Sequence, residues 1–156
     1  MYRKGQTLSY DFFVSMTMFI IALTIILFYW TYSSKQIDET VAKNDISNKL
    51  FLASQVWFME GYPKYWNPST VLSIGLVNDG YINSTKMNYL PTIVYQKFIS
   101  ITGIQSYNIY YRVYNESNST LFEFGLYPSG EKNLLKISRL SVLDSVPVVI
   151  DTLVWR

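Results

Sequence analysis

The side chains that most often carry enzyme chemistry are missing or isolated in this sequence. The 156-residue chain contains neither cysteine nor histidine, so it offers no thiol nucleophile, no disulfide and no imidazole base. The same absences remove the usual ligands of zinc and of iron–sulfur clusters. The carboxylates stand singly: Asp144 and Asp151 come nearest to a pair, and Asn78-Asp79-Gly80 is more typical of a hairpin turn than of a calcium loop. We therefore predict a protein that is not an enzyme and holds no metal or organic cofactor.

The charge balance argues against a nucleic-acid partner. The formal net charge is +2, and Arg3 and Lys4 account for that excess. From residue 36 to 156, ten basic side chains balance ten acidic ones. This part of the chain has no net field that would hold a polyanion, so we expect no binding to nucleic acid.

The composition favours attachment to a membrane. Apolar residues make up 49% of the chain and charged residues only 15%. The stretch 12–34 contains no charge and is long enough for a helix to cross the hydrocarbon layer. Tyr29, Trp30 and Tyr32 lie near its end, as in an interfacial aromatic belt. A cleaved secretory signal has a shorter apolar region and a small-residue cleavage site, so we expect this span to be retained.

The flanks of the span predict its orientation. Arg3 and Lys4 precede it, which favours a cytoplasmic N-terminus and an extracellular position for the rest of the chain. Three Asn-x-Ser/Thr sequons fit an exported surface and are candidate glycosylation sites. They begin at Asn83, Asn115 and Asn118.

An amphipathic helix is predicted directly after the span. Residues 35–60 contain neither proline nor glycine, and Gly61 and Pro63 would end the helix. Its apolar positions recur at spacings of three and four: Ile46, Leu50, Ala53 and Trp57. This stripe predicts a stem that packs against a sheet, with a groove for a partner as the alternative.

The loop at 61–68 contains two prolines and several large aromatic side chains. The aromatic residues are Tyr62, Tyr65 and Trp66. Such rings are either buried or bind something, so the choice is between core residues and a recognition platform for a surface or a glycan.

The remaining pattern predicts a head domain of mixed helices and strands. A strand at 71–77 and a short return at 81–83 flank the turn at Asn78, and a helix at 92–102 would end at Gly103. Alternating apolar residues then predict four antiparallel strands in a meander. These strands cover 107–114, 120–127, 134–143 and 146–155.

The predicted fold class is therefore α+β, with a long N-terminal helix packed against an antiparallel sheet. We divide the chain into a leader at 1–5, a transmembrane helix at 6–34, a stem at 35–60 and an extracellular head at 61–156.

The N-terminus resembles the class III signal peptides of archaeal type IV pilin-like proteins. It reads Arg3-Lys4-Gly5-Gln6-Thr7-Leu8-Ser9-Tyr10-Asp11 and runs straight into the span. The family pattern is a basic pair, a glycine and then Gln-x-Ser-x-Glu; here Ser9 and Asp11 stand one residue farther from Gln6, and Asp replaces Glu. The resemblance implies that a membrane prepilin peptidase cuts between Gly5 and Gln6, and that the helix then packs in the core of a filament.

A second, looser resemblance is to archaeal pilin-like ectodomains. The residues that carry it are Gly61-Tyr62-Pro63-Lys64-Tyr65-Trp66-Asn67, Ile74-Gly75-Leu76, Lys86 and Trp155.

Two roles are open for Asp11. In a bundle of such helices its carboxylate would neutralise the freed amine of Gln6 on a neighbouring subunit. Alternatively it lies at headgroup level, where the helix dipole favours a negative charge and Ser9 caps the backbone.

Two functions follow as expectations. The first is a pilin-like structural subunit that forms a homo- or hetero-oligomer in a surface filament. The alternative is a monomeric membrane-anchored binding or adhesion module, in which Tyr62, Tyr65 and Trp66 would recognise a surface.

Overall fold

The computed structural model of the chain describes the backbone of residues 4–130 and 133–156, and the side chains from Tyr10 onward within those ranges. The chain divides into two compact units, 1–43 and 44–156. This boundary falls inside the predicted stem at 35–60, because the first buried residue of the apolar stripe is Ile46.

The first unit is helical throughout its described part. Helix α1 spans Lys4–Gln55 and so continues into the second unit. Three of its threonine hydroxyls are satisfied within the helix, which is the arrangement that a helix needs where no water can serve them. The hydroxyls of Thr17, Thr24 and Thr31 donate to the carbonyl oxygens of Phe13, Ile20 and Phe28, respectively.

In the second unit the last turns of α1 form part of the core. Ile46, Leu50 and Ala53 are buried, and a 3₁₀ turn at Val56–Phe58 follows with Trp57 also buried. The stem helix therefore ends at Gln55, a few residues before the predicted end at residue 60.

The apolar stripe packs against the sheet, as predicted. The Tyr111 hydroxyl donates to the carbonyl oxygen of Ala53 at 2.7 Å. The Trp57 ring meets Tyr111 and Phe122 edge to face, with centroid separations of 5.5 and 6.1 Å. Burial raises the pKa of the Tyr111 hydroxyl well above its usual value, so this hydroxyl stays protonated as a donor.

Small elements connect the stem to the main sheet. Strands β1, Val77–Asn78, and β2, Tyr81–Ile82, pair around a two-residue turn in which Asp79 and Gly80 have φ of 50° and 87°. Positive φ at both positions is the type I′ geometry that Asp-Gly favours. The hairpin at Asn78 is thus confirmed.

The longer strand predicted at 71–77 is wrong except at its last residue. Ser73 forms only an isolated bridge with Tyr62, because this segment follows the aromatic loop and pairs locally with it.

Two short helices follow, of which only the second was predicted. Helix α2, Ser84–Tyr89, begins after Asn83, whose side chain accepts a hydrogen bond from the Lys86 amide. Helix α3, Tyr95–Thr102, ends at Gly103, where φ is 70°. The predicted start at 92 is too early because residues Leu90–Thr92 form a separate 3₁₀ turn.

The main sheet contains the four predicted antiparallel strands in a different order. They are β3, Asn108–Asn115; β4, Thr120–Gly125; β5, Leu134–Leu143; and β6, Val146–Trp155. The spatial order is β4-β3-β6-β5, so the predicted meander is wrong.

Burial explains the order of the strands. β6 and β3 carry the most buried residues of the four, and they pair with each other at the centre, from Asn108 opposite Trp155 to Asn115 opposite Val148. The less buried β4 and β5 take the two edges. Alternation assigns side chains to faces but does not say which strands are neighbours. The predicted α+β class with a long N-terminal helix is confirmed.

Candidate functional sites

The apolar part of α1 is the largest candidate functional surface. Every side chain from residue 10 to residue 32 is exposed within the structure, Phe12, Phe28 and Trp30 among them. The helix is long and apolar enough to cross a membrane. Since apolar surface in water costs about 25 cal/mol per Å², a surface of this kind requires lipid or other protein around it.

The residues predicted to direct processing and assembly lie at the start of this helix. The side chain of Asp11 is exposed. Gly5, Gln6 and Ser9 lie in α1 by their backbone, while their side chains are outside the described residues, as are Met1 to Arg3 entirely. Cleavage after Gly5 and pairing of Gln6 with Asp11 therefore stay predictions.

Two glycine backbones cross in the head where the aromatic loop meets the segment before β1. A Cβ atom on Gly61, whose φ is 75°, would lie 2.7 Å from the Gly75 nitrogen, and one on Gly75 would overlap the Gly61 nitrogen and the Met59 carbonyl. Neither position has room for a side chain. Gly61, Trp66 and Gly75, which belong to the segments of the second resemblance, thus lie close together at this crossing.

Trp66 is part of the crossing and not of the surface. Its side chain is 1% exposed, and its Nε1 donates to the Gly75 carbonyl at 2.8 Å. The proposed role of Trp66 in surface recognition is wrong because its ring cannot be reached from solvent. Tyr62 and Tyr65 are exposed, so these two remain candidates for recognition.

Lys86 is a buried cation beside this crossing. Lys86 is only 3% exposed, and its Nζ donates to the carbonyl oxygens of Glu60 at 2.6 Å and Val77 at 2.9 Å. Burial lowers the pKa of Lys86, although the nearby Glu60 carboxylate opposes this shift. The ammonium thus connects two separate backbone segments by hydrogen bonds. The residues next to Lys86 in the sequence form no pattern that predicts its burial, so this role was not predicted from the sequence.

The three sequons differ in how their asparagines are engaged. Asn83 caps α2 and is half-buried, and Asn115 accepts a hydrogen bond from the Ser119 amide at 2.9 Å. Asn118 is exposed in the β3–β4 turn with a φ of 58°. Of the three, Asn118 is the most accessible candidate for glycosylation.

The carboxylates singled out from the sequence have structural roles. Asp144 and Ser145 have φ of 49° and 68° and form the turn between β5 and β6. Asp151 is buried, accepts a hydrogen bond from Ser138 and pairs with Lys136 at 2.6 Å. Asp79 pairs with Lys64 at 2.7 Å, which raises the pKa of Lys64. Across the described ranges, no three His, Cys, Asp or Glu residues come together as a metal site.

A groove in the head was not predicted. It has a volume of about 580 Å³ and lies between the segment before α3 and the β3–β4 edge of the sheet. Tyr95, Tyr110, Tyr127 and Glu123 line it. Burial and the nearby Glu123 carboxylate raise the pKa of Tyr110 to about 12. The alternating tyrosines of β3 were the only sequence signal for this groove, and alternation alone does not reveal a concave surface.

Comparison of the chain with protein-family models, with curated proteins and with solved structures found no match.

Proposed function

We propose that the chain is a pilin-like structural subunit of an archaeal type IV pilus-like filament. In this proposal a prepilin peptidase cuts between Gly5 and Gln6, and the subunit assembles through its N-terminal helix. The observation that carries it is helix α1, which exposes an uncharged and largely apolar surface over residues 12–32 and supplies core residues to the head from Ile46 onward. One element thus offers a lateral contact surface and is anchored in a folded domain.

The same helix would serve first in the membrane and then in the filament. Before assembly it anchors the subunit as a single pass, with the head outside because Arg3 and Lys4 precede the span. Transfer from lipid to a bundle of sister helices brings little hydrophobic gain, because lipid tails are as apolar as the side chains. Extraction would therefore need a separate motor, and dense van der Waals contact would hold the assembled state.

The threonine hydroxyls support this double use of the helix. Thr17, Thr24 and Thr31 are hydrogen-bonded to their own backbone, so they need no partner in lipid or in a bundle. Asp11 would be the one acidic group that changes partner, by pairing with the amine of Gln6 on a neighbour.

The first experiment measures the N-terminus of the native protein. Surface material sheared from the producing cells is separated from membranes, and the chain in each fraction is analysed by intact mass spectrometry. We expect a chain that begins at Gln6 in the sheared filaments. A chain that still carries Met1 or Tyr2, found only in membranes, would contradict the proposal.

A second experiment addresses Asp11. Charge reversal by Asp11→Lys should abolish incorporation into filaments and leave membrane insertion largely intact, because it places like charge beside the Gln6 amine. Asp38→Lys, beyond the span in the same helix, is the matched control and should assemble normally. If Asp11→Lys also assembles normally, Asp11 has no part in assembly.

Exposure of Tyr62 and Tyr65 favours the alternative function, a membrane-anchored binding or adhesion module. Replacing both with serine should then reduce attachment of cells to a surface without lowering the melting temperature. Tyr81→Ser removes an equally exposed ring from β2 and serves as the control. Attachment that is unchanged in the double variant would remove this alternative.

A further inference from the structure

The groove in the head is built from aromatic rings around a single charged side chain. Its lining includes the rings of Tyr95, Tyr110, Phe124 and Tyr127, and among the residues that the structure describes there, Glu123 is the only charged one. Its volume of about 580 Å³ lies within the range usual for small-molecule sites.

Tyr110 lies beside both the carboxylate of Glu123 and an exposed aromatic ring. Glu123 is close enough to the Tyr110 hydroxyl to raise its pKa, and the Tyr110 ring meets that of Tyr127 edge to face at 5.3 Å and 82°. Tyr110 itself is buried, whereas Tyr127 is 75% exposed. An exposed ring and a carboxylate thus share one fixed neighbour in the lining of the groove.

The backbone at the end of β4 holds Tyr127 in this position. Gly125 has a φ of 108°, and a Cβ atom there would overlap the Ile109 carbonyl. The chain leaves the strand at this glycine, and the Leu126 amide donates to the same carbonyl at 3.0 Å. On the opposite wall, the Tyr95 hydroxyl accepts a hydrogen bond from the Ile109 amide at 3.0 Å, which fixes that ring as well.

The charge of Glu123 is not neutralised by its cross-strand neighbour. Arg112 lies opposite Glu123 in the register, but its Nε donates to Thr120 at 3.0 Å and its guanidinium lies 5.1 Å from the centre of the Tyr114 ring. Among the described residues, no lysine or arginine nitrogen lies within 4.0 Å of the Glu123 carboxylate. The groove thus presents aromatic rings and one carboxylate that makes no direct ion pair with the residues that the structure describes.

We infer that this groove binds a small organic cation of the alkylammonium class, held by the Glu123 carboxylate and by the aromatic rings that line the groove with it, Tyr127 among them. A methylated ammonium combines a positive charge with apolar methyl groups, which suits an aromatic wall and a carboxylate together. This inference does not depend on the proposed filament function.

The test is calorimetric titration of the full chain in a polyoxyethylene detergent, which carries neither an ammonium nor a sugar headgroup. The probes are choline chloride, at constant ionic strength, and its neutral isostere, in which a tert-butyl group replaces the trimethylammonium. We expect choline to bind at least about tenfold more tightly than the isostere. Equal binding of the two probes, binding of neither, or tighter binding of a neutral disaccharide than of choline would each overturn the inference.

Two variants locate the site. Glu123→Gln keeps the acceptor for Tyr110 and removes the charge, and Tyr127→Leu keeps apolar bulk and removes the ring. Both residues are exposed, so the fold should survive, which an unchanged melting temperature verifies. We expect each to weaken choline binding by roughly threefold to tenfold. The controls are Glu116→Gln in the β3–β4 turn and Tyr81→Leu in β2. If the Glu123 and Tyr127 variants bind choline no more weakly than these controls, the site lies elsewhere and the inference is overturned.

Discussion

At the scale of single residues, the surroundings decide what each side chain does. Tyr65 and Trp66 are adjacent in the aromatic loop, yet Tyr65 is 73% exposed and Trp66 is buried with its indole N–H bonded to Gly75. Lys86 likewise has a buried ammonium where most lysines are solvated. Neither outcome follows from residue type, because both depend on segments that are distant in the chain.

Replacing Lys86 tests the contribution of its two hydrogen bonds to backbone carbonyl oxygens. Lys86→Met keeps the length of the side chain but leaves the Glu60 and Val77 carbonyls without their donor. We expect a loss of about 1–3 kcal/mol in the free energy of unfolding, measured with denaturant. Lys97→Met is the matched control. Lys97 is exposed, and its ammonium donates to one carbonyl oxygen, that of Pro68. Equal losses in the two variants would show that burial of Lys86 contributes nothing.

Tyrosines with raised pKa values predict a stability that falls at alkaline pH. The pKa is raised for Tyr95, Tyr107 and Tyr111, and to about 12 for Tyr110. Above pH 10 the unfolded chain releases these protons while the folded chain keeps them, so the folded state binds more protons and loses stability as pH rises.

The contribution of Tyr110 can be isolated. Unfolding by urea between pH 8 and pH 12 should show a smaller decline for Tyr110→Phe than for the unmodified chain, since the phenylalanine cannot ionise. Tyr62→Phe, at an exposed tyrosine, should decline like the unmodified chain. A decline in Tyr110→Phe as steep as that of the unmodified chain would contradict the prediction.

At the scale of elements, local sequence patterns predicted the main pieces well and the connections poorly. The stripe from Ile46 to Trp57 indicated a helix with one buried face, and the alternation after residue 107 indicated four strands; both are present. Helix α2 was missed because it is only six residues long and carries no apolar periodicity of its own. It forms because Asn83 caps it and because Lys86 and Met87 become buried.

Two leucines on opposite sides of the stem helix test its packing. Leu50 is 4% exposed and Leu52 is 48% exposed. Leu50→Ala should lower the free energy of unfolding by about 2–5 kcal/mol, because it leaves a cavity in the core. Leu52→Ala should cost less than about 1 kcal/mol. Denaturant titration of the full chain measures both losses in the free energy of unfolding. Equal losses would mean that the stripe does not pack against the sheet.

At the scale of the whole molecule, the chain combines a unit with an exposed apolar surface and a unit with its own core. The contrast is between residues 10–32, all exposed, and the buried cluster that begins at Ile46. An exposed apolar surface of this size is typical of a membrane contact or a protein–protein contact. Membrane and filament are the two environments that the proposed function supplies in turn.

A charge in the middle of the span should disturb membrane insertion. Leu23→Arg places a cation near the centre of the apolar stretch, at a cost of about 2.5–3.5 kcal/mol on insertion scales. We expect a larger fraction of this variant to be released by alkaline extraction of membranes. Val41→Arg, at an exposed position in the same helix beyond the span, should remain in the membrane fraction like the unmodified chain. Equal release of both variants would argue against a membrane span.

The sequence by itself determined the features that depend on near neighbours in the chain. These are the apolar span, the periodic stem, the Asp-Gly hairpin turn and the alternating strands, because each follows from a local repeat or a local backbone preference. Tertiary structure alone decided the strand order β4-β3-β6-β5, the crossing of Gly61 and Gly75, the burial of Trp66 and Lys86, and the groove beside Tyr127. Each of these joins segments that are far apart in the chain, and a local pattern contains no information about which distant segment will be its neighbour.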